Sequence, residues 1–121
     1  MASILSMGSR MFRTRNPARD ANTDLDRFMT VRRSIASAIE GATRERDGLQ
    51  RRLDVYYAQA TSLLDNSPEF AERDSAEEEA IRQAEDNAAA ASRRIKQITE
   101  HIAQLNKMLA DVDAVLDGTD L

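Results

Sequence analysis

The chain has no cysteine and no tryptophan, and it contains only two prolines, four glycines, two tyrosines and three phenylalanines. Without cysteine there is no disulfide framework, no thiolate nucleophile and no thiolate metal site. No stretch of about 18 consecutive apolar residues occurs, so no transmembrane helix is expected. The first residues also lack the continuous apolar core of a secretory signal, because Ile4 and Leu5 are followed by Ser6, Gly8, Ser9 and Arg10. The expected compartment is therefore the cytoplasm. Lys96 and Lys107 are the only lysines, and the arginine-dominated usage is that expected of a GC-rich bacterial genome.

What is present is alanine, leucine, isoleucine and charge. Hydrophobic residues make up 41% of the 121 positions and charged residues 31%, with few chain breakers, which is the composition of long helices and coiled coils. The formal net charge of −4 is unevenly spread. Residues 1–23 carry four arginines against Asp20, residues 24–66 balance, and the acids concentrate beyond residue 66. An acidic body with a short basic head is a poor nucleic-acid ligand, since affinity for phosphate comes mainly from clustered positive charge. No nucleic-acid partner is expected.

From Leu25 the apolar residues recur in alternating steps of three and four: Leu25, Phe28, Arg32, Ile35, Ile39, Ala42, Arg46, Leu49, Leu53, Tyr56, Ala60 and Leu63. A strand repeats every two residues and cannot produce this series; it is the seam of a coiled-coil helix. Thr23 or Asp24 offers the N-cap. Gly41 and Gly48 lie off the seam, each costing about 1 kcal/mol relative to alanine without stopping the helix. A second series of the same step follows, uninterrupted by polar residues: Ile81, Ala84, Ala88, Ala91, Ile95, Ile98, Ile102, Leu105, Leu109, Val112 and Leu116. Gly118 is its expected terminator.

Between the seams, Asp65-Asn66-Ser67-Pro68-Glu69 breaks the helix. Proline is tolerated at the first position of a new helix after a capping serine. Ser75 is a second possible start, with Glu78 completing a capping box and Glu77–Glu79 near the positive helix end. Both starts remain open, and with them whether residues 68–74 form a separate turn or continue into the second helix.

Two such seams joined by a few turn residues must fold back to bury each other. The expected fold is all-α: a long antiparallel two-helix coiled-coil hairpin with arms of roughly 60 Å at about 1.5 Å per residue. The expected division is a flexible basic segment over 1–22, helix 1 over about 24–65, a turn at about 66–68, helix 2 over about 69–117, and a short tail over 118–121. A bend at Pro68 would set positions whose numbers sum to about 136 opposite one another in arms of equal rise per residue. Ala84, Ala88 and Ala91 would then lie by Gly48, Leu49 and Leu53. The open end, with Phe28, Ile35 and Ile39 against Ile98, Ile102, Leu105 and Leu109, would hold the bulkier core.

Little in the chain suggests chemistry. The only histidine, His101, has Ile98 three residues before it, where a bundle metal site of the Glu-x-x-His kind needs a carboxylate. The acids fall on solvated faces without the alternation and central glycine of a calcium loop. There is no glycine-rich phosphate loop and no nucleophile arrangement. No catalytic residue, cofactor or metal is assigned, and the chain is expected not to be an enzyme. Arg32 and Arg46 interrupt the first seam. Their stems can cover it while the guanidinium reaches water, or they can fix register by pairing with acids opposite, for Arg46 with Glu85 or Asp86.

A second apolar edge is more informative. Met29, Val31, Ala36 and Ala38, then Tyr57 and Leu64, flank the first seam; Met108 and Val115, with Ala80, flank the second. A helix with so wide an apolar stripe needs more than one neighbour. Met29, Val31, Ala36, Tyr57, Leu64, Met108 and Val115 are therefore the candidate protein-interaction surface. A homodimer, most simply a four-helix bundle made through the open end, is the expected assembly. A membrane surface is the alternative partner: Ile4, Leu5, Met11 and Phe12, with Arg10 and Arg13 beside them, would form a short basic amphipathic tether.

The span from Leu25 to Leu116 resembles in architecture the long helical-hairpin proteins of bacterial export and flagellar systems, and equally small scaffold and phage-encoded hairpins. The residues themselves point to a non-enzymatic adaptor or scaffold, and the resemblance implies a chaperone or stalk component as an alternative. It implies no particular site residue.

Overall fold

A computed structural model describes residues 16–66 and 74–118. They form two helices, α1 (Pro17–Asn66) and α2 (Ser75–Asp117), folded as an all-α helical hairpin.

Helix α1 begins earlier than the expected residue 24, and residues 17–22 are helical, not part of a flexible segment. The reason is the Asn16-Pro17 pair. Asn16 stays outside the helix and its Oδ1 accepts the Ala18 amide at 2.9 Å, while its carbonyl accepts the Asp20 amide at 2.9 Å. Proline at the first helical position loses nothing, because its missing N–H would have had no intrahelical partner. Thr23 and Asp24, the two expected caps, both lie inside the helix, and the Thr23 hydroxyl donates to the Arg19 carbonyl at 2.9 Å.

Helix α2 begins at Ser75, the later of the two starts, and not at residue 69. Its cap lies one residue before the expected one: Asp74 Oδ1 accepts the Glu77 amide at 2.7 Å. Glu77 and Glu78 occupy the first turn, where the partial positive charge of the helix end favours carboxylates. The expected turn at 66–68 and restart at Ser67-Pro68 fall largely outside the described residues. At the far end Asp117 closes the helix as expected, with the Gly118 amide donating to the Ala114 carbonyl at 2.8 Å. Gly118 does not have positive φ, so it is not a left-handed cap. It stands where an added Cβ would come within 2.7 Å of the Ala114 oxygen.

The apolar series are the buried faces. Every position of the second seam is buried or half-buried, and so is every position of the first except Leu25. The chain divides into two compact units. One contains described residues 38–66 and 74–106. All the buried side chains among the described residues lie in it: Leu53, Ala60, Ile81, Ala84, Ala88, Ala91 and Ile98. Leu53, Ala88 and Ala91 form its central cluster, with Leu49, Tyr56 and Ile95 against them. Alanine facing leucine allows large and small side chains to interdigitate.

The other unit contains described residues 16–37 and 107–118. Its seam residues Phe28, Ile35, Leu109, Val112 and Leu116 are only half-buried, and none of its described residues is fully buried. Of the residues expected to form the bulkier core at the open end, Ile39, Ile98, Ile102 and Leu105 fall in the first-described unit, where Ile98 is the most completely buried, whereas Phe28, Ile35 and Leu109 in this one are half-buried. A single neighbouring helix does not cover so wide a stripe.

Register also differs from that of a bend at Pro68. Within the first-described unit, Glu45 meets Arg94, where such a bend would set it beside Ala91. Within the other, Arg32 meets Asp113, where it would set Arg32 beside Gln104. The first helix ends at Asn66 and the second starts at Ser75, so the midpoint between them lies beyond Pro68.

Candidate protein-interaction surface

The candidate residues divide between the two units. Val31, Met108 and Val115 belong to the unit at the chain ends and are exposed, Met108 by 54%, Val31 by 47% and Val115 by 37%. In the heptad defined by the seams they occupy the same flanking position of their helices. Met29 and Ala36, in the same unit, take the opposite flank of α1 and are half-buried, so they contribute partly to packing. Tyr57 and Leu64 belong to the other unit and are exposed. The tether residues Ile4, Leu5, Arg10, Met11, Phe12 and Arg13 lie outside the described residues.

Arg32 is the polar member of the seam in the end unit. Its Nε donates to Asp113 Oδ1 at 2.6 Å and its Nη2 lies 3.5 Å from Oδ2. The hydrogen bond to Asp113, and then that carboxylate's charge, raises the Arg32 pKa above the ordinary guanidinium value. Of the two seam arginines this one spans the helices. Arg46 lies 3.9 Å from its own chain neighbour Asp47 and forms no pair with Glu85 or Asp86. The cross-helix pair in that region is instead Arg94 with Glu45, at 3.2 Å. Neither residue stands in a seam, so the search confined to seam charges missed it.

Sequence reasoning also missed a groove. Val55, Ala58, Gln59, Ser62 and Leu63 of α1 and Ala80, Gln83, Ala84 and Asn87 of α2 line an open apolar hollow of about 690 Å³. Val55 is 52% exposed there. The signal was available, since Val55 is an apolar residue off the seam, as Tyr57 is. Beside the groove a smaller hollow is lined by Gly48, Arg51, Arg52, Val55 and Tyr56.

His101 is exposed. Among the described residues no group of three or more histidine, cysteine or carboxylate side chains is placed to hold a metal ion. Neither described helix is long and apolar enough to cross a membrane. No protein-family model, curated protein or solved structure matches the chain.

Proposed function

We propose that this chain is a non-enzymatic coiled-coil adaptor or scaffold, acting in the cytoplasm through protein–protein interaction and self-association. The observation that carries the reading is the incomplete burial of the end unit. Its apolar seam is half-exposed, and Val31, Met108 and Val115 extend that surface outward. Apolar area left in water at this density is the usual mark of a protein-binding face. A second copy that covers it makes a four-helix bundle, in which every stripe acquires two neighbours.

Light scattering of the purified full chain at tens of micromolar tests the proposal. The expected result is a particle heavier than the 13.5 kDa chain. Replacing Met108 and Val115 together by glutamate is expected to return it to a monomer with unchanged helix content by circular dichroism. A strictly monomeric wild-type chain overturns self-association. Loss of helix content together with assembly would make these two residues core, and not contact, residues.

A further inference from the structure

The self-association proposed above leaves open which surface of the second copy receives Met108 and Val115. We infer that it is the apolar groove beside Val55, not the partner's own Met108–Val115 edge; this inference rests on the proposed self-association. Length is the first argument. Met108 and Val115 stand seven residues apart on α2, two helical turns or roughly 10 Å. The groove walls have nearly the same extent, Val55 to Leu63 on one side and Ala80 to Asn87 on the other.

Relief is the second argument. Met108 and Val115 project as large side chains from a helix flank, exposed by 54% and 37%. The groove is hollow because Ala58, Ala80 and Ala84 line it. Large side chains entering a space left by small ones give the interdigitation of a packed core, whereas two projecting edges meet poorly.

Charge is the third. Asp111 lies between Met108 and Val115 and, among the described residues, forms no ion pair. A two-fold pairing that set Met108 on the partner's Val115 would bring the two copies' Asp111 side chains together, which like charges oppose. The groove lining itself carries no charged side chain. Arg51 and Arg52 are exposed in the hollow that adjoins it at Val55, and among the described residues neither is paired with an acid. An acidic edge seated in the groove has cations within reach.

The test uses two full-length variants that damage opposite sides of the contact. The double variant Met108→Glu/Val115→Glu loses the edge and keeps the groove; Val55→Glu does the reverse. Each alone is expected to scatter as a 13.5 kDa monomer with wild-type helix content. An equimolar mixture is expected to regain a particle of twice that mass, because one intact edge meets one intact groove. Ser62→Glu, at an exposed position on the groove wall, is a second groove variant should Val55→Glu lower helix content. If the groove variants associate like the wild type while the edge variant is monomeric, the edges pair with each other; the groove inference falls and self-association stands. Two monomeric variants that do not complement on mixing also overturn it. A monomeric wild-type chain removes the underlying proposal itself.

Discussion

Arg32 and Asp113 are joined across the two helices by a 2.6 Å hydrogen bond at a position where the first seam would otherwise carry an apolar side chain. Both side chains keep more than a third of their surface in water, so the pair acts more on register than on gross stability. Asp113→Asn is expected to lower the thermal midpoint slightly, and Arg32→Ala/Asp113→Asn to lower it no further than the worse single variant. The raised Arg32 pKa fixes the pH behaviour. A base whose folded pKa lies above its unfolded value contributes fully below the unfolded one and loses that contribution only as pH rises through the folded one. The ordinary guanidinium value already lies far above neutral pH, and the folded one lies higher still. The difference in midpoint between wild type and Asp113→Asn should therefore hold from neutral pH to roughly pH 10 and shrink with added salt. Thermal melts over that grid check it.

Ile98 is 1% exposed, the most completely buried large side chain among the described residues. Ile98→Ala is expected to cost about 2–5 kcal/mol, the transfer term plus the cavity left behind. Ile35→Ala, at a half-buried seam position of the end unit, removes less buried surface and should cost distinctly less in dilute protein. Urea unfolding of both variants decides this. Equal losses would mean that the end unit is as tightly closed as the other.

Ala88, at 3% exposure beside Leu53 and Ala91, has no room for a longer side chain. Ala88→Leu makes the seam more apolar yet is expected to destabilise by about 1–3 kcal/mol, because overpacking forces the helices apart. A rise in the urea midpoint would show that the alanines do not set the packing.

Burial along the hairpin was legible in the sequence because helix periodicity is a repeated signal. Twenty-three seam positions from Leu25 to Leu116 were assigned from spacing, and only Leu25 is exposed. Single-residue signals were less secure. Residue type points to Thr23 or Asp24 and to Ser75 as caps, but Asn16 and Asp74 hold those places. Asparagine before proline carries the same cap-then-proline logic that had been applied only to Ser67-Pro68. A bend centred on one proline misplaces the register, since the observed pairs are Arg32 with Asp113 and Glu45 with Arg94. The cross-helix pairs then fell elsewhere: Arg46 lost its expected acids, and Arg94 with Glu45 took the role. The groove at Val55 was hidden for a different reason. A hollow comes from which small residues lie near each other across two helices, and a one-dimensional period does not carry that.

Asp74 supports the first turn of α2 through its 2.7 Å bond from the Glu77 amide. Asp74→Ala is expected to cost about 0.5–2 kcal/mol, with Asp74→Asn or Asp74→Ser nearly neutral, because each keeps an oxygen that can accept the same amide. Hydrogen exchange localises the effect. The Glu77 and Glu78 amides should exchange faster in Asp74→Ala while those near Ile98 change only by the global loss.

Gly41 and Gly48 have no positive φ, and both lie inside α1. A Cβ at Gly41 would meet nothing within 4 Å, and one at Gly48 only the end of the Arg51 side chain at 3.8 Å, ordinary contact. Each glycine therefore loosens the helix without serving a turn or a close approach. Gly41→Ala and Gly48→Ala should each stabilise by about 1 kcal/mol. The residues are two turns apart and share no partner, so the double variant should show nearly the sum. In a chain of this size each step corresponds to roughly 4 °C in the melting midpoint. Gly118→Ala supplies the control: its Cβ would lie 2.7 Å from the Ala114 oxygen, so it should not stabilise. A gain at Gly118, or a loss at Gly41, would contradict the helix geometry on which the hairpin is built.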